Sequence, residues 1–286
     1  MDENKQPKVK ILVACHKADP NIRQDDIYMP IQVGKALHPE LDLGFQCDNT
    51  GDNISEKNGS YCELTALYWA WKNLKDVDYI GLAHYRRYFD FDVSTKNICR
   101  IMRNNKAILV DCKYLPHSLM EELAYLTSIE DTYIFLDTIV KSHPEMKSAL
   151  IEYFYSNNKW TNCNMLISSK ETFDEYCQFL FPLMAEVEKR LKLSHYSRMR
   201  RVIGYLTEPL LGFWLYYKKY KFKNVGMLQY ADGAVSQSLL NRLAKRLRAD
   251  ASFWAVHFMA KKRHELFDEW VLNGLRQDGY EISNNV

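Results

Sequence analysis

The segment 78–89 constrains the fold of this chain more than any other. Residues 78–84 are mostly apolar, which is typical of a buried strand. The following stretch, His84 to Phe89, places one imidazole, two guanidinium groups and three aromatic rings within six residues. Because open α/β sheets bind ligands at the carboxyl ends of their strands, this pattern predicts a ligand site where the strand ends.

Short β-forming segments alternate with helical patterns from residue 8 to about residue 230. This alternation predicts an α/β fold with a mainly parallel sheet flanked by helices. The predicted strands are Val9–Ala14, Leu41–Cys47, 78–84, Ala107–Val110, Asn162–Ser168 and Lys221–Leu228. The predicted helices are Ile31–Leu37, a helix from Ser60 onward, Glu130–Lys141, Met146–Tyr155, Glu171–Leu193 and Arg200–Lys218.

Residues 236–286 have helical periodicity and no strand pattern. We therefore predict two domains, a main domain over 1–235 and a helical appendage over 236–286.

The cysteines and the first residues predict a protein of the reducing cytoplasm. The seven cysteines form no C-x-x-C pair, so neither a disulfide framework nor a zinc site is expected. The first seven residues are polar, so no secretory signal is expected. The longest apolar runs, such as Leu210 to Tyr217, are too short to span a bilayer.

The side chains of His84, Arg86 and Arg87 are the first candidate site. Two guanidinium groups can neutralise most of the charge of a pyrophosphate and so replace a divalent metal. If the strand stays regular, its alternation sends Arg86 and Arg87 to opposite faces, so one of them reaches the ligand. The alternative is that one arginine forms an internal ion pair while the rings fill the core.

The motif Asp90-Phe91-Asp92 is a candidate for binding Mg²⁺ or Mn²⁺ between phosphates. It lies beyond the expected strand end. We therefore favour a solvated turn, or a partner for the arginines, and predict that no cofactor is required.

The loop 48–59 is a second candidate for binding phosphate or nucleotide. Ser60 and Glu63 match a capping box that begins a helix, and Lys57 and Asn58 stand just before it. The free N–H groups of a helix N-terminus attract phosphate. Asp48, at the end of a predicted strand, is a weaker candidate for contacting a ribose or a base.

Two further groups are candidates, one for a general base and the other for contacts with a sugar. Glu208 is flanked by apolar residues, which suits a general base with a raised pKa, although a salt bridge with Arg200 or Arg201 is an equal alternative. Trp160, Asn162 and Asn164 offer a ring and two amides for a sugar, although asparagines at a strand start are also common turn residues.

The stretch Asn241 to His264 is strongly basic, with one acid, Asp250, and with aromatic residues between its cations. It predicts either an amphipathic element resting on an anionic membrane or a solvated helix packed on the main domain. No motif supports nucleic-acid binding.

The run 53–73 together with 78–89 closely resembles the DUF4422 family of bacterial capsular and exopolysaccharide biosynthesis proteins, taken to be glycosyltransferases. The segments Asn164–Ile167 and Glu208–Leu211 are similar to that family as well. The resemblance covers roughly residues 8–230. It implies a GT-A-like nucleotide-sugar fold. Some relatives are thought to transfer galactofuranose from its UDP donor, but the resemblance does not fix the sugar here.

GT-A enzymes usually carry Asp-x-Asp at the strand end where this chain has His84-Tyr85-Arg86, so an arginine clamp fits better than a bound metal. The resemblance thus implies transfer from a UDP-sugar to a glycan or lipid-linked oligosaccharide at the cytoplasmic membrane face. In this hypothesis His16, Lys17 and Asp48 bind the nucleotide, Arg86 and Arg87 stabilise the departing diphosphate with help from His84, and Glu208 deprotonates the acceptor. The alternatives are a non-catalytic phosphoglycan-binding or scaffold protein and a sugar-phosphate transferase.

Overall fold

A computed structural model describes residues 6–161, 163–230, 239–259 and 263–283 of the chain. The residues cluster into two compact units, each built from separate parts of the sequence. The first unit comprises 1–111, 161–179 and 219–234, and the second comprises 112–160, 180–218 and 235–286. The division at residue 235 into a main domain and an appendage stays a prediction.

Ten strands and eleven α-helices are present in the described residues. The strands are β1 (Val9–Cys15), β2 (Tyr28–Gln32), β3 (Gln46–Cys47), β4 (Tyr79–His84), β5 (Arg87–Asp90), β6 (Ala107–Val110), β7 (Lys113–Tyr114), β8 (Lys159–Trp160), β9 (Leu166–Ser169) and β10 (Phe222–Gln229). The helices are α1 (Asn58–Tyr61), α2 (Leu64–Asn73), α3 (Thr95–Met102), α4 (Leu119–Leu126), α5 (Ile129–Ser142), α6 (Lys147–Tyr155), α7 (Lys170–Arg190), α8 (Ser197–Arg200), α9 (Val202–Tyr217), α10 (Leu239–Met259) and α11 (Glu269–Gln277).

The first unit contains an eight-stranded sheet in the order β3-β2-β1-β4-β5-β10-β6-β9. Strand β4 also pairs with β9, which closes five of these strands into a ring of pairings. A mixed α/β fold is therefore confirmed. A mainly parallel sheet is not, because β4–β5, β5–β10, β4–β9 and β6–β9 pair antiparallel, while β1–β2, β2–β3, β1–β4 and β6–β10 pair parallel.

The centre of the sheet is the core of the first unit. The apolar run of β1 is almost completely buried, with Ile11, Leu12 and Val13 inaccessible to solvent. A Cβ on Gly81 of β4 would come within 2.7 Å of the carbonyl oxygen of Leu166. Only glycine therefore allows β9 to approach β4 this closely, and this approach closes the ring.

Three local predictions were wrong. The segment predicted as a helix over Ile31–Leu37 begins instead within β2, because its buried β-branched residues pair with β1. The strand predicted over Leu41–Cys47 is reduced to β3. The capping box is absent, because Cys62 adopts a φ of 52° that ends α1, and Glu63 stands before α2 without a side-chain cap bond.

The second unit is mainly helical. Several hydrogen bonds tie its C-terminal residues to its centre. Among them, Tyr133 on α5 donates to the carboxylate of Asp268 at 2.8 Å, and Arg190 donates to the backbone carbonyl of Glu281 at 2.6 Å. The same Arg190 bonds the fully buried carboxylate of Asp137 at 2.6 Å. Among the described residues, no helix combines the length and the apolarity that crossing a bilayer requires.

Candidate functional site

The carboxyl ends of β1 and β4 lie side by side in the first unit. Ala14 pairs with His84, and the backbone amide of Tyr85 donates to the carbonyl of Ala14 at 3.3 Å. Beyond these ends, the exposed ring of His16 meets the ring of Tyr85 edge-on at a centroid distance of 5.2 Å. The parallel pairing thus places two predicted groups, residues 16–17 and residues 84–87, at one sheet edge.

Arg86 occupies a tight turn rather than a continuing strand. Residues 85 and 86 form the turn between β4 and β5, and the amide of Tyr230 donates to the carbonyl of Arg86 at 2.9 Å. The Nε of Arg86 donates to the carboxylate of Asp19 at 2.8 Å. The guanidinium also lies 5.3 Å from the ring centre of Tyr85. The predicted internal ion pair of an arginine therefore exists, and it holds Arg86 at the sheet edge.

Asp19 is adapted to remain charged beside Arg86. The backbone N–H of Asn21, followed by the hydrogen bond from Arg86, holds the pKa of this carboxyl below its usual range. The Asp19 side chain is only 5% exposed, whereas that of Arg86 is 30% exposed. Solvent and ligands therefore reach the guanidinium rather than its counter-ion.

Arg87 begins β5, opposite His84 across the hairpin. Its side chain is half-buried, and within the described part of the chain it makes no side-chain hydrogen bond or ion pair. Arg87 is thus a second cation near the strand end, with fewer structural bonds than Arg86.

His84 is oriented by the loop before β9. Its Nε2 lies 2.8 Å from the carbonyl oxygen of Cys163, so Nε2 carries the proton when the ring is neutral. Cys163 and Asn164 both have left-handed φ angles, 64° and 51°. Two such residues in succession are rare outside functional sites and tight turns.

Asn164 was predicted to contact a sugar acceptor. Its side-chain amide donates a hydrogen bond to the carboxylate of Glu63 at 2.9 Å. Glu63 was not predicted as a site residue, because its sequence position suggested a capping role that the break at Cys62 removes. Asn164 is nearly fully buried, and this bond links the loop before β9 to the start of α2.

Arg23 is a cation that the sequence analysis missed. Its guanidinium lies 4.4 Å from the ring centre of Tyr88 and donates to the hydroxyl of Tyr230 at 3.0 Å. Burial raises the pKa of Tyr28 and of Tyr88 to about 12, so both rings stay neutral around the cation. The abundance of tyrosine was the one sequence signal for this cluster.

Three residues of the loop 48–59 were predicted to bind the nucleotide-sugar donor: Asp48, Lys57 and Asn58. Their side chains instead make contacts within this part of the protein. Asp48 is fully buried and accepts from the amide of Gly34 at 2.8 Å and from the hydroxyl of Ser55 at 2.5 Å. The Asn58 amide donates to the carbonyl of Cys62 at 2.7 Å, and Lys57 lies over the ring of Tyr61 at 5.6 Å. These contacts give the three residues structural roles, and their donor contacts stay predictions.

Asp90 ends β5, and Asp92 lies two residues beyond it. Asp90 is exposed, and the Asp92 carboxylate accepts from the side-chain amide of Asn97 at 2.5 Å beside the start of α3. No group of three or more His, Cys, Asp or Glu side chains in the described ranges is arranged to hold a metal ion. Metal binding by Asp90 and Asp92 stays a prediction.

The second unit holds Glu208 and Trp160. Glu208 on α9 accepts a 2.8 Å hydrogen bond from the indole of Trp160. Trp160 is only 2% exposed, so the prediction that its ring stacks on a sugar is not supported. Asn162 lies outside the described residues. The role of Glu208 as a base stays a prediction.

The second unit also contains a cavity of about 1280 Å³ that the sequence analysis did not predict. It is surrounded by helices α4, α5, α6 and α10 and by residues 263–268. Its polar lining includes Arg263, which lies 4.0 Å from the ring centre of Tyr155 and donates to Asp268 at 3.1 Å.

Comparison with known proteins gives a match to a family model and matches to solved structures. The model of the family described as a domain of unknown function, DUF4422, matches residues 10–219. The apo structure of the WbbM bifunctional glycosyltransferase is similar with a TM-score of 0.69 and 26% sequence identity. The match covers 81% of this chain and 48% of that chain, so this chain spans about half the length of its neighbour. A search of curated proteins found no match.

Proposed function

Because the chain belongs to the DUF4422 family, we propose that it is a glycosyltransferase of polysaccharide biosynthesis that transfers a sugar from a UDP-sugar to a growing glycan. The likeness to the WbbM bifunctional glycosyltransferase, at 26% identity over 81% of this chain, carries the proposal. The cationic strand end in the first unit supports it independently. A GT-A-like fold and placement at the cytoplasmic face of the cell membrane are parts of the same proposal.

In this proposal the arginines at the end of β4 stabilise the leaving diphosphate. Negative charge grows on the diphosphate oxygen as the bond to the sugar breaks, and fixed cations stabilise that charge without reorganising. Asp19 already fixes the orientation of Arg86, and Arg87 adds a second positive charge at the hairpin. His84 presents its Nδ1 as an acceptor when the bond to Cys163 holds the proton on Nε2.

We assign the nucleotide to the sheet edge formed by β1 and β4. His16 and Lys17 are exposed beyond the end of β1, and the ring of His16 already contacts Tyr85. Glu208 is proposed to deprotonate the acceptor hydroxyl, and the hydrogen bond from the Trp160 indole orients its carboxylate.

The test is a UDP-release assay with purified protein, a panel of UDP-sugars and EDTA, with calorimetry of UDP binding beside it. We expect EDTA-insensitive UDP binding, and Arg86→Ala should reduce turnover about 100-fold or more. Arg100→Ala, an exposed arginine on α3, is the matched control and should be neutral. Normal turnover of Arg86→Ala would reject the clamp.

The nucleotide product separates the alternatives. Release of UDP identifies sugar transfer, and release of UMP would identify a sugar-phosphate transferase. UDP binding without turnover of any donor would favour a non-catalytic binding protein.

A further inference from the structure

Helix α10 presents an apolar stripe to solvent. Leu240, Leu243, Leu247, Trp254 and Phe258 are between 52% and 90% exposed. Their spacings of three, four, seven and four residues return to one side of an α-helix. Large apolar side chains that are contiguous and exposed mark an interaction surface.

The other side of α10 is attached to the second unit. Ala249 and Phe253 on that side are buried, and Arg246 at its border lies 4.2 Å from the ring centre of Tyr114. Asp250 lies along the stripe between Leu247 and Trp254, and it accepts from the side-chain amide of Asn158 at 2.9 Å. These contacts fix which side of the helix faces outward. The exposure of the stripe therefore follows from how α10 packs.

Cations border the stripe on both sides. Helical geometry places Arg246 and Arg248 on opposite flanks, and Lys245 is exposed farther round the helix. The helix sequence contains one acid, Asp250, which Asn158 and Arg246 engage. The polar surface of α10 is therefore basic, and its apolar face includes a tryptophan. Helices that lie in the interface of an anionic bilayer have this composition.

We propose that α10 docks the protein on an anionic phospholipid surface, with the stripe inserted among the lipids and the flanking arginines against the headgroups. A second copy of the chain is the competing occupant. Packing two stripes together would bring the basic flanks of the two helices against each other, whereas anionic headgroups complement them. The charge pattern therefore favours the lipid surface. This inference rests on the proposed placement at the membrane, but not on the proposed catalytic residues.

The experiment is co-sedimentation of the full chain with vesicles of phosphatidylglycerol and phosphatidylcholine, compared with vesicles of phosphatidylcholine alone. We expect binding to the anionic vesicles that weakens in high salt. Trp254→Glu should weaken it about tenfold, because a charge replaces an inserted ring. Trp270→Glu on α11 is the matched control, since Trp270 is 69% exposed and lies outside the stripe.

A second variant, Arg248→Glu, keeps the proposal testable if Trp254→Glu fails to fold. Arg248 is exposed, and its replacement should weaken binding to anionic vesicles without changing the circular dichroism spectrum. Wild-type protein that stays in the supernatant, or equal binding of Trp254→Glu and wild type, would overturn the proposal. A dimer in sedimentation velocity that Trp254→Glu dissociates, without any lipid dependence, would assign the stripe to a second copy instead.

Discussion

The guanidinium of Arg86 and the carboxylate of Asp19 meet at 2.8 Å although 67 residues separate them in sequence. Asp19 lies in the loop after β1, and Arg86 lies in the turn after β4. The parallel pairing of β1 with β4 brings these two ends together. A buried acceptor that fixes an accessible guanidinium is how an enzyme preorganises a cation for a phosphate.

Asp19→Asn should separate the effect of orienting Arg86 from the affinity for UDP. The change removes the charged acceptor that orients Arg86, so we expect turnover to fall about tenfold. It also removes a negative charge near the diphosphate, so the affinity for UDP should change less than turnover does. Rate assays and calorimetry measure the two quantities. Asp26→Asn, an exposed carboxylate in the same loop, should affect neither. An equal loss of affinity and turnover would contradict a positioning role.

The bond between Glu63 and Asn164 should couple the start of α2 to the loop before β9. Glu63→Ala and Asn164→Ala each remove this bond, so their effects on the free energy of unfolding should not add. We expect a coupling energy of about 1 kcal/mol in a double-mutant cycle. Turnover should fall in both variants because the loop also supplies the carbonyl that orients His84. Strict additivity in unfolding experiments would show that the two side chains act independently.

The sequence predicted the elements whose pattern is local. The apolar runs of β1, β4 and β6 and the amphipathic pattern of α7 are each contained in one segment, and each is present in the structure with bounds close to those predicted. Their order also sufficed to predict an α/β fold, although not its antiparallel pairings, and a basic segment at the end of β4.

The errors arose where tertiary contacts decide the conformation. Nothing local in the sequence shows that β9 crosses Gly81 closely enough to close the sheet. The hairpin at Tyr85 and Arg86 could not be predicted because no glycine or asparagine marks the turn. Asp48 and Trp160 resembled ligand contacts, but their polar atoms are used by distant parts of the same unit.

Substitutions at Glu208 and Trp160 should separate catalysis from structure. Glu208→Gln keeps an oxygen that accepts from the indole of Trp160 but cannot take a proton, so turnover should fall at least 100-fold with little loss of stability. Trp160→Phe removes the buried donor and should lower the free energy of unfolding by about 1–3 kcal/mol. Rate assays and thermal unfolding on both variants test the split. Normal turnover of Glu208→Gln would exclude this carboxylate as the base.

Glu122 should make the stability of the second unit depend on acid pH. Its side chain is 8% exposed and bonds Lys113 at 2.9 Å and His117 at 2.7 Å. Burial alone would raise the pKa of this carboxyl, but the hydrogen bonds from Lys113 and His117 outweigh burial and hold the pKa below its usual value.

A carboxyl whose pKa is lowered by folding stabilises the folded state. The full stabilisation is present at pH values above the pKa of the unfolded state, about 4.3. It is lost as the pH falls through the lower pKa of the folded state. Since Lys113 is 53% exposed, solvent screening limits the contribution, and we expect Glu122→Gln to cost about 1 kcal/mol at pH 7. The difference from wild type should shrink as the pH falls below about 4.3 and through the lower folded pKa. Urea unfolding midpoints across this range measure it, with the exposed Glu130→Gln as control. A difference that stays constant down to the lowest pH would show that Glu122 contributes through packing rather than through its charge.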